Sequence, residues 1–260
     1  DLVMRPALEE RPRHAPYAIT TFAAPKGDGF VLTGEKQFVL DAPQVGQFIV
    51  VARTAGEAGD REGLSLFVVP ADAPGVSVTP LAMVDSRSVG LVSLDGVAVS
   101  AGAVLGTVGA GADSLDPALD RARIGLAAEM LGSAQEAFDR TLDYLKTRTQ
   151  FGSLIGTFQA LKHRAADMFS ELELTRATVM EALSAIDEGS DQVPMLASLA
   201  KARANDTLNL VSREGIQMHG GIGMTDEEEI GFFIKRARVA ESAFGNSRFH
   251  RDRYAGLSGY

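Results

Sequence analysis

The apolar residues of this chain change their spacing once, across a glycine-rich stretch from Gly106 to Gly111. Upstream, short β-branched or aromatic runs are separated by Gly, Pro or Asp: Thr33 to Leu40, Phe48 to Arg53, Leu64 to Pro70, Val76 to Pro80 and Val89 to Val99. Such runs read as strands. Downstream, Ile124, Ala127, Ala128, Leu131, Ala134, Ala137, Phe138, Leu142 and Leu145 recur mostly at three- and four-residue steps, the spacing of one helix face. The expected fold is α+β and multidomain. A β-sandwich or small barrel over residues 1–105 precedes a four-helix up-and-down bundle over residues 106–260.

Local signals divide these regions further. Lys26-Gly27-Asp28-Gly29-Phe30 can reverse the chain tightly before a strand, since Gly and Asp tolerate positive φ. Ser114 and Asp116 are candidate N-caps for the first helix, with Pro117 in its first turn. A second helix is expected from about Thr157 to Ile186, ended by Asp187-Glu188-Gly189, and a third from about Met195 to Met218. The fourth would start with Thr225 as N-cap and Asp226, Glu227 and Glu228 as an acidic first turn. Small residues such as Gly125, Ala128 and Gly132 read as close helix packing. Arg164 with Asp167, or Glu173 with Arg176, could form weak surface pairs.

Composition removes several function classes. Lys and Arg number 25 against 34 Asp and Glu, a net charge of -9, which disfavours a general nucleic-acid or anionic-membrane surface. Without cysteine there is no disulfide, thiolate nucleophile or Cys-bound metal, and four histidines outside any ligand cluster make no metal site. No apolar run approaches the roughly 20 residues that span a bilayer. The expected location is cytoplasmic. His219-Gly220-Gly221 is superficially like a lipase oxyanion loop, but no GxSxG turn accompanies it.

Two stretches suit a phosphate. Gln217 to Thr225 reads QMHGGIGMT, and its glycines follow a helix-like run, so backbone N–H groups can face outward. The plainer alternative is a C-cap and tight turn. The second comprises Arg148-Thr149-Gln150-Phe151-Gly152 and Thr157-Phe158-Gln159, where Arg offers a charged fork and Phe a stacking face. It also reads as a helix end with a favourable cation and a Gly stop.

Together these elements resemble the acyl-CoA dehydrogenase family. Gly34 to Asp41, GEKQFVLD, is similar to the family's GxKxWITN strand; Arg148 to Gly152 to its RxxFG element; Gln217 to Gly221 to its QxxGG; and Ala237 to Arg248 to its terminal helix and catalytic loop. The resemblance implies FAD-dependent α,β-dehydrogenation of an acyl-CoA, with electron-transfer flavoprotein as acceptor and a helical N-terminal domain absent from this sequence. It implies that Arg148, Gln150, Phe151, Phe158, Gln159, Gln217, Gly220 and Gly221 hold the ADP half of an FAD whose ring lies in an adjoining subunit.

The departures matter as much. In Ala243-Phe244-Gly245-Asn246-Ser247, Phe244 stands where most of the family has its Glu base. The less common base position falls on Ala122, just before Arg123, which matches a substrate-binding position. Neither Phe244 nor Ala122 can take a proton, and Asp120 and Glu241 are the nearest displaced carboxylates in sequence. Phe38 and Leu40 replace the Trp and Thr expected beside the flavin ring, and Glu9-Glu10-Arg11-Pro12 replaces a Thr-Glu-Pro-Gly turn. This combination resembles the base-lacking subunit of bacterial α2β2 acyl-CoA dehydrogenases of sterol side-chain degradation. The expectation is a chain without catalytic residues that completes the FAD site of a Glu-bearing partner. The alternatives are a homomeric dehydrogenase with a relocated carboxylate and an interaction subunit without a flavin role.

Overall fold

A computed structural model describes residues 3–260. The chain forms two compact units, Asp1–Ala118 and Leu119–Tyr260. In the first, eight strands make one sheet: β1 (Met4–Ala7), β2 (Phe22–Lys26), β3 (Gly29–Leu40), β4 (Gln47–Arg53), β5 (Leu64–Pro70), β6 (Val76–Leu81), β7 (Val89–Ser100) and β8 (Val104–Leu105). Their order is β6-β7-β3-β2-β4-β5-β8, with β1 parallel against β4. Strands β2 and β4 are joined at the single pair Phe22–Arg53, so the sheet folds over on itself there. Leu32, Val92, Leu94 and Val97 from one half share a core with Phe48, Val50, Phe67 and Val69 from the other. Phe30 and Phe67 meet edge to face at 5.2 Å. The arrangement is sandwich-like and does not close into a barrel, since β6 and β8 remain edges.

The expected reversal at Lys26 to Phe30 is the β2–β3 hairpin, with Gly27 at φ 62°. Gly29 is required for a different reason: a Cβ there would lie 2.1 Å from the Val99 carbonyl oxygen. Buried Arg53 organises the loops at one end of this unit. Its guanidinium donates to five backbone carbonyls, those of Tyr17, Ile19, Ala55, Asp60 and Glu62, at 2.9–3.2 Å. Five N–H groups meet five acceptors.

Five helices follow: α1 (Ala112–Thr147), α2 (Gln159–Asp187), α3 (Val193–His219), α4 (Ile230–Ser242) and α5 (Ser247–Leu257). The four expected helices are there, and α5 is an addition whose cap is Asn246, which accepts from the Phe249 amide at 3.0 Å. Helix α1 starts earlier than its sequence signals, and Pro117 lies inside it. The Gly111 amide donates to the Leu64 carbonyl at 2.7 Å, which fixes the entering chain, and Arg61 then pairs with Asp113 and Asp116. Helix α4 starts later. Asp226, Glu227 and Glu228 precede it in a turn, because Thr225 Oγ1 bonds back to the Ile222 carbonyl at 2.8 Å and Glu229 is engaged by Arg140 at 2.5 Å.

Helix α3 is the buried centre of the helical unit and packs against α2, α4 and α5. Its Ala197, Ala200, Ala204, Leu208 and Val211 share a core with Ile124, Ala127, Met130, Ala134 and Phe138 of α1. Small side chains on α3 let its neighbours approach closely. Glu173 and Arg176 pair at 3.1 Å, whereas Arg164 reaches across to Glu214 of α3 instead of Asp167. No described helix is long and apolar enough to cross a membrane.

Candidate functional site

The sequence elements similar to RxxFG and QxxGG come together at one end of the helical unit. Helix α1 stops at Thr147, and the Arg148 amide still donates to the Tyr144 carbonyl at 2.9 Å. A short hairpin follows, β9 (Thr149–Gln150) and β10 (Ser153–Leu154), closed by the Ile155 amide donating to the Arg148 carbonyl at 2.9 Å. Phe151 and Gly152 form its tip with φ of 54° and 75°. A left-handed phenylalanine is uncommon. The turn thereby presents the Phe151 ring outward at 91% exposure, 6.2 Å from the Phe158 ring. Gln159 opens α2 next to Phe158, and the Gln150 side chain donates to the Thr149 carbonyl at 2.8 Å. The exposed Arg148 guanidinium makes no hydrogen bond or ion pair among the described residues.

The other half of this cluster is the end of α3. Gln217 is exposed in its last turn, and Gly220 follows at φ 68° with its N–H donating to the Gln217 carbonyl. The glycines differ in why they are glycines. A Cβ on Gly223 would lie 2.7 Å from the Ile216 carbonyl oxygen, so packing requires it. Gly221 has open space around it and no left-handed φ, so neither packing nor backbone conformation demands it. The bare backbone at Gly220 and Gly221 is open to a ligand.

Two contacts hold these halves together, one through His219 within the glycine motif and one wholly outside both motifs. The His219 ring stacks on Tyr144 at 4.4 Å, with Nδ1 2.7 Å from the Gly215 carbonyl. Arg164 of α2 bonds Glu214 of α3. The one sequence signal for Tyr144 was its place four residues, about one helical turn, before Arg148.

A second cluster surrounds Phe244, in the turn between α4 and α5. Phe244 has φ 56° and Gly245 φ 111°, and a Cβ on Gly245 would lie 2.5 Å from the Phe249 ring. The Phe244 carbonyl accepts from Arg123 Nε at 3.4 Å and from His250 Nε2 at 3.1 Å. Arg123 also lies 5.5 Å over the Phe249 ring. Thus Arg123 and Phe244, 121 positions apart, are neighbours. Arg123 is buried, and its charge is paired with Asp120 at 2.8 Å. The other Asp120 oxygen accepts from Arg253 at 2.9 Å. Glu241 accepts from Asn209 and Arg238. Ala122 is half-buried beside Arg123.

Beneath the same turn lies Lys201 of α3, fully buried. Its ammonium donates to Asn205 Oδ1 at 2.7 Å, the Ala240 carbonyl at 2.9 Å and the Gly245 carbonyl at 3.1 Å. Burial pushes its pKa down to about 7; the Glu241 charge opposes this, while Arg123 and Arg236 reinforce it. The sequence reading missed Lys201, whose only signal was a charge among the small residues Ala197, Ala200 and Ala204.

In the β unit, Phe38 and Leu40 are exposed, and Phe38 has φ 53° at an irregularity between β3 and β7. Glu10 is buried and paired with Lys36 at 2.6 Å. Burial alone would raise its pKa, but the Lys36 charge and hydrogen bonds from Lys36, Thr20 and Thr21 hold it at about 2. Among the described residues no group of His, Asp and Glu could hold a metal ion.

Comparison with known proteins follows the same division. Residues 9–97 match the acyl-CoA dehydrogenase middle domain and residues 109–256 its C-terminal domain. A short/branched chain specific acyl-CoA dehydrogenase of Bos taurus mitochondria is 32% identical over 89% of this chain and 54% of its own length. The chain therefore spans about half the length of the curated relatives it matches. An acyl-CoA dehydrogenase structure from Geobacillus kaustophilus superposes with TM-score 0.94 at 26% identity, covering 100% of this chain and 69% of that one. A structure of the Tcur3481-Tcur3483 steroid ACAD superposes with TM-score 0.86 at 31% identity, covering 99% of this chain and 67% of that one. With both domain models matched in order over most of its length, the chain belongs to the acyl-CoA dehydrogenase family.

Proposed function

We propose that this chain is the non-catalytic subunit of an FAD-dependent acyl-CoA dehydrogenase, completing the FAD site of a Glu-bearing partner in an α2β2 complex. The observation that carries the reading is the contrast between its two clusters. The Phe244 turn retains a fixed backbone, but its side chain cannot accept a proton, whereas the Arg148–Gly221 cluster has free polar groups facing outward. A displaced base is disfavoured: Asp120 is buried between Arg123 and Arg253, and Glu241 is engaged by Asn209 and Arg238.

The outward cluster fits the ADP half of FAD. Arg148 supplies an uncommitted charge, Gly220 and Gly221 leave the backbone bare, and Phe151 offers an exposed ring face. In this reading Arg148 would neutralise the pyrophosphate, the bare backbone of Gly220 and Gly221 would let it approach closely, Phe151 and Phe158 would offer ring faces, and Gln150, Gln159 and Gln217 would supply amide hydrogen bonds. Bound FAD supplies a hydride acceptor for the β-carbon of an acyl-CoA. Proton removal from the α-carbon then falls to the partner's carboxylate. Electron-transfer flavoprotein is the acceptor in this reading, and Arg123 contributes to the acyl site through the turn it holds. Likeness to the Tcur3481-Tcur3483 steroid ACAD supports a second chain and a sterol side-chain CoA ester as substrate.

Co-expression with a Glu-bearing homologue tests this. A yellow, active complex should form with the partner, and Arg148→Ala should deplete its flavin. Stoichiometric FAD and acyl-CoA oxidation by this chain alone would overturn the proposal, and unchanged flavin after Arg148→Ala would favour an interaction subunit.

A further inference from the structure

The turn that presents Phe244 is held mainly by side chains distant in sequence. Every carbonyl from Phe244 to Gly245 is taken: Arg123 and His250 bond the first, Lys201 and Asn205 the second. Lys201 also takes the Ala240 carbonyl near the end of α4. Nζ lies within hydrogen-bonding distance of three neutral oxygens, with no carboxylate among them. Left-handed backbone at a phenylalanine is costly and persists where its surroundings over-determine it.

We propose that Lys201 is a positioning residue: by holding the Ala240 and Gly245 carbonyls it sets the backbone of the Ala243–Asn246 turn and so the place from which side chain 244 is presented. The acyl-site relevance of that turn rests on the proposed function; the clamp itself does not. Opening the turn would expose Nζ to water, so opening and protonation are linked. The charged and titratable groups around it are Arg123 and Asp120 of α1, Arg236 and Glu241 of α4, and His250 and Arg253 of α5, besides Asn205 on α3 itself. With the closed-state pKa near 7 and the hydrated amine near 10.5, the open state holds more protons between those values. Opening therefore takes up a proton and becomes rarer as pH rises through that window.

Amide hydrogen exchange tests this on the full protein in the assembly in which it purifies. The reporters are the amides of Ala243, Phe249 and His250, which donate to the Val239 carbonyl, Asn246 Oδ1 and the Asn246 carbonyl. After correction for intrinsic exchange, their protection should rise about tenfold per pH unit above pH 7 in the wild type. In Lys201→Met the slope should vanish, while α2 amides show no slope in either protein. A flat wild-type profile, or identical profiles in both proteins, would overturn the proposal. If Lys201→Met does not fold, the wild-type profile decides alone. Neither flavin nor activity enters this measurement, so its failure is distinct from a failure of the subunit reading, which flavin content reports.

Discussion

The ring of Tyr144 lies 4.4 Å from that of His219 at an interplanar angle of 22°, joining the last turns of α1 and α3 just where each releases a chain segment with exposed polar groups. Tyr144 lies outside those segments and His219 is the residue just before the glycines, so the stacked pair sets their spacing. Tyr144→Ala should therefore cost about 1 kcal/mol or somewhat more of stability, from lost stacking and burial. Flavin content of the partner complex should fall further than the thermal shift alone explains. Tyr144→Phe, which keeps the ring, should leave both nearly unchanged.

Gly221 and Gly223 should separate binding from folding. Gly221→Ala has room and an ordinary φ, so stability should change by no more than about 0.5 kcal/mol while flavin affinity falls. Gly223→Ala must push against the Ile216 carbonyl and should destabilise by about 1–3 kcal/mol. Denaturation midpoints and flavin titration of the two variants check the contrast.

Glu10 gives the β unit an acid limit. Its folded pKa is depressed from 4.5 to about 2, so its contribution is fully present above about pH 4.5 and is lost as pH falls toward 2. Glu10→Gln should remove that part of the acid limb and leave Lys36 buried without its carboxylate, a cost of about 3–5 kcal/mol at neutral pH. Urea midpoints measured between pH 3 and 7 provide the check.

Asp120→Asn should destabilise the helical unit by about 3–5 kcal/mol, because Arg123 and Arg253 both lose a buried counter-charge. If Asp120 were instead a catalytic base, activity of the complex would vanish even under conditions where the variant is fully folded. Circular dichroism with turnover of the same sample distinguishes the two.

The fold was legible where spacing is local. Short β-branched or aromatic runs bounded by Gly, Pro or Asp located β3 to β7, and three- and four-residue steps located the helices, because burial of one helix face imposes that period directly. Helix ends were less legible: α1 starts before Pro117 because the Leu64 carbonyl captures Gly111, a contact between distant residues. The candidate phosphate-binding segments were visible as glycine and arginine motifs, while the Tyr144 ring that stacks on His219 and holds them together belongs to neither. Lys201 was invisible for the same reason. A single lysine among alanines looks like an ordinary helical charge until its three acceptors, two of them from beyond residue 239, fold onto it.

The five carbonyls gathered by Arg53 span residues 17 to 62, so one side chain ties together loops that many small proteins would staple covalently. In a chain without cysteine this tie has no thiol to oxidise and no sulfur bridge to reduce. Closure of these loops is therefore indifferent to the redox poise of the surrounding compartment, while remaining open to competition by any solute that solvates a guanidinium or a peptide carbonyl.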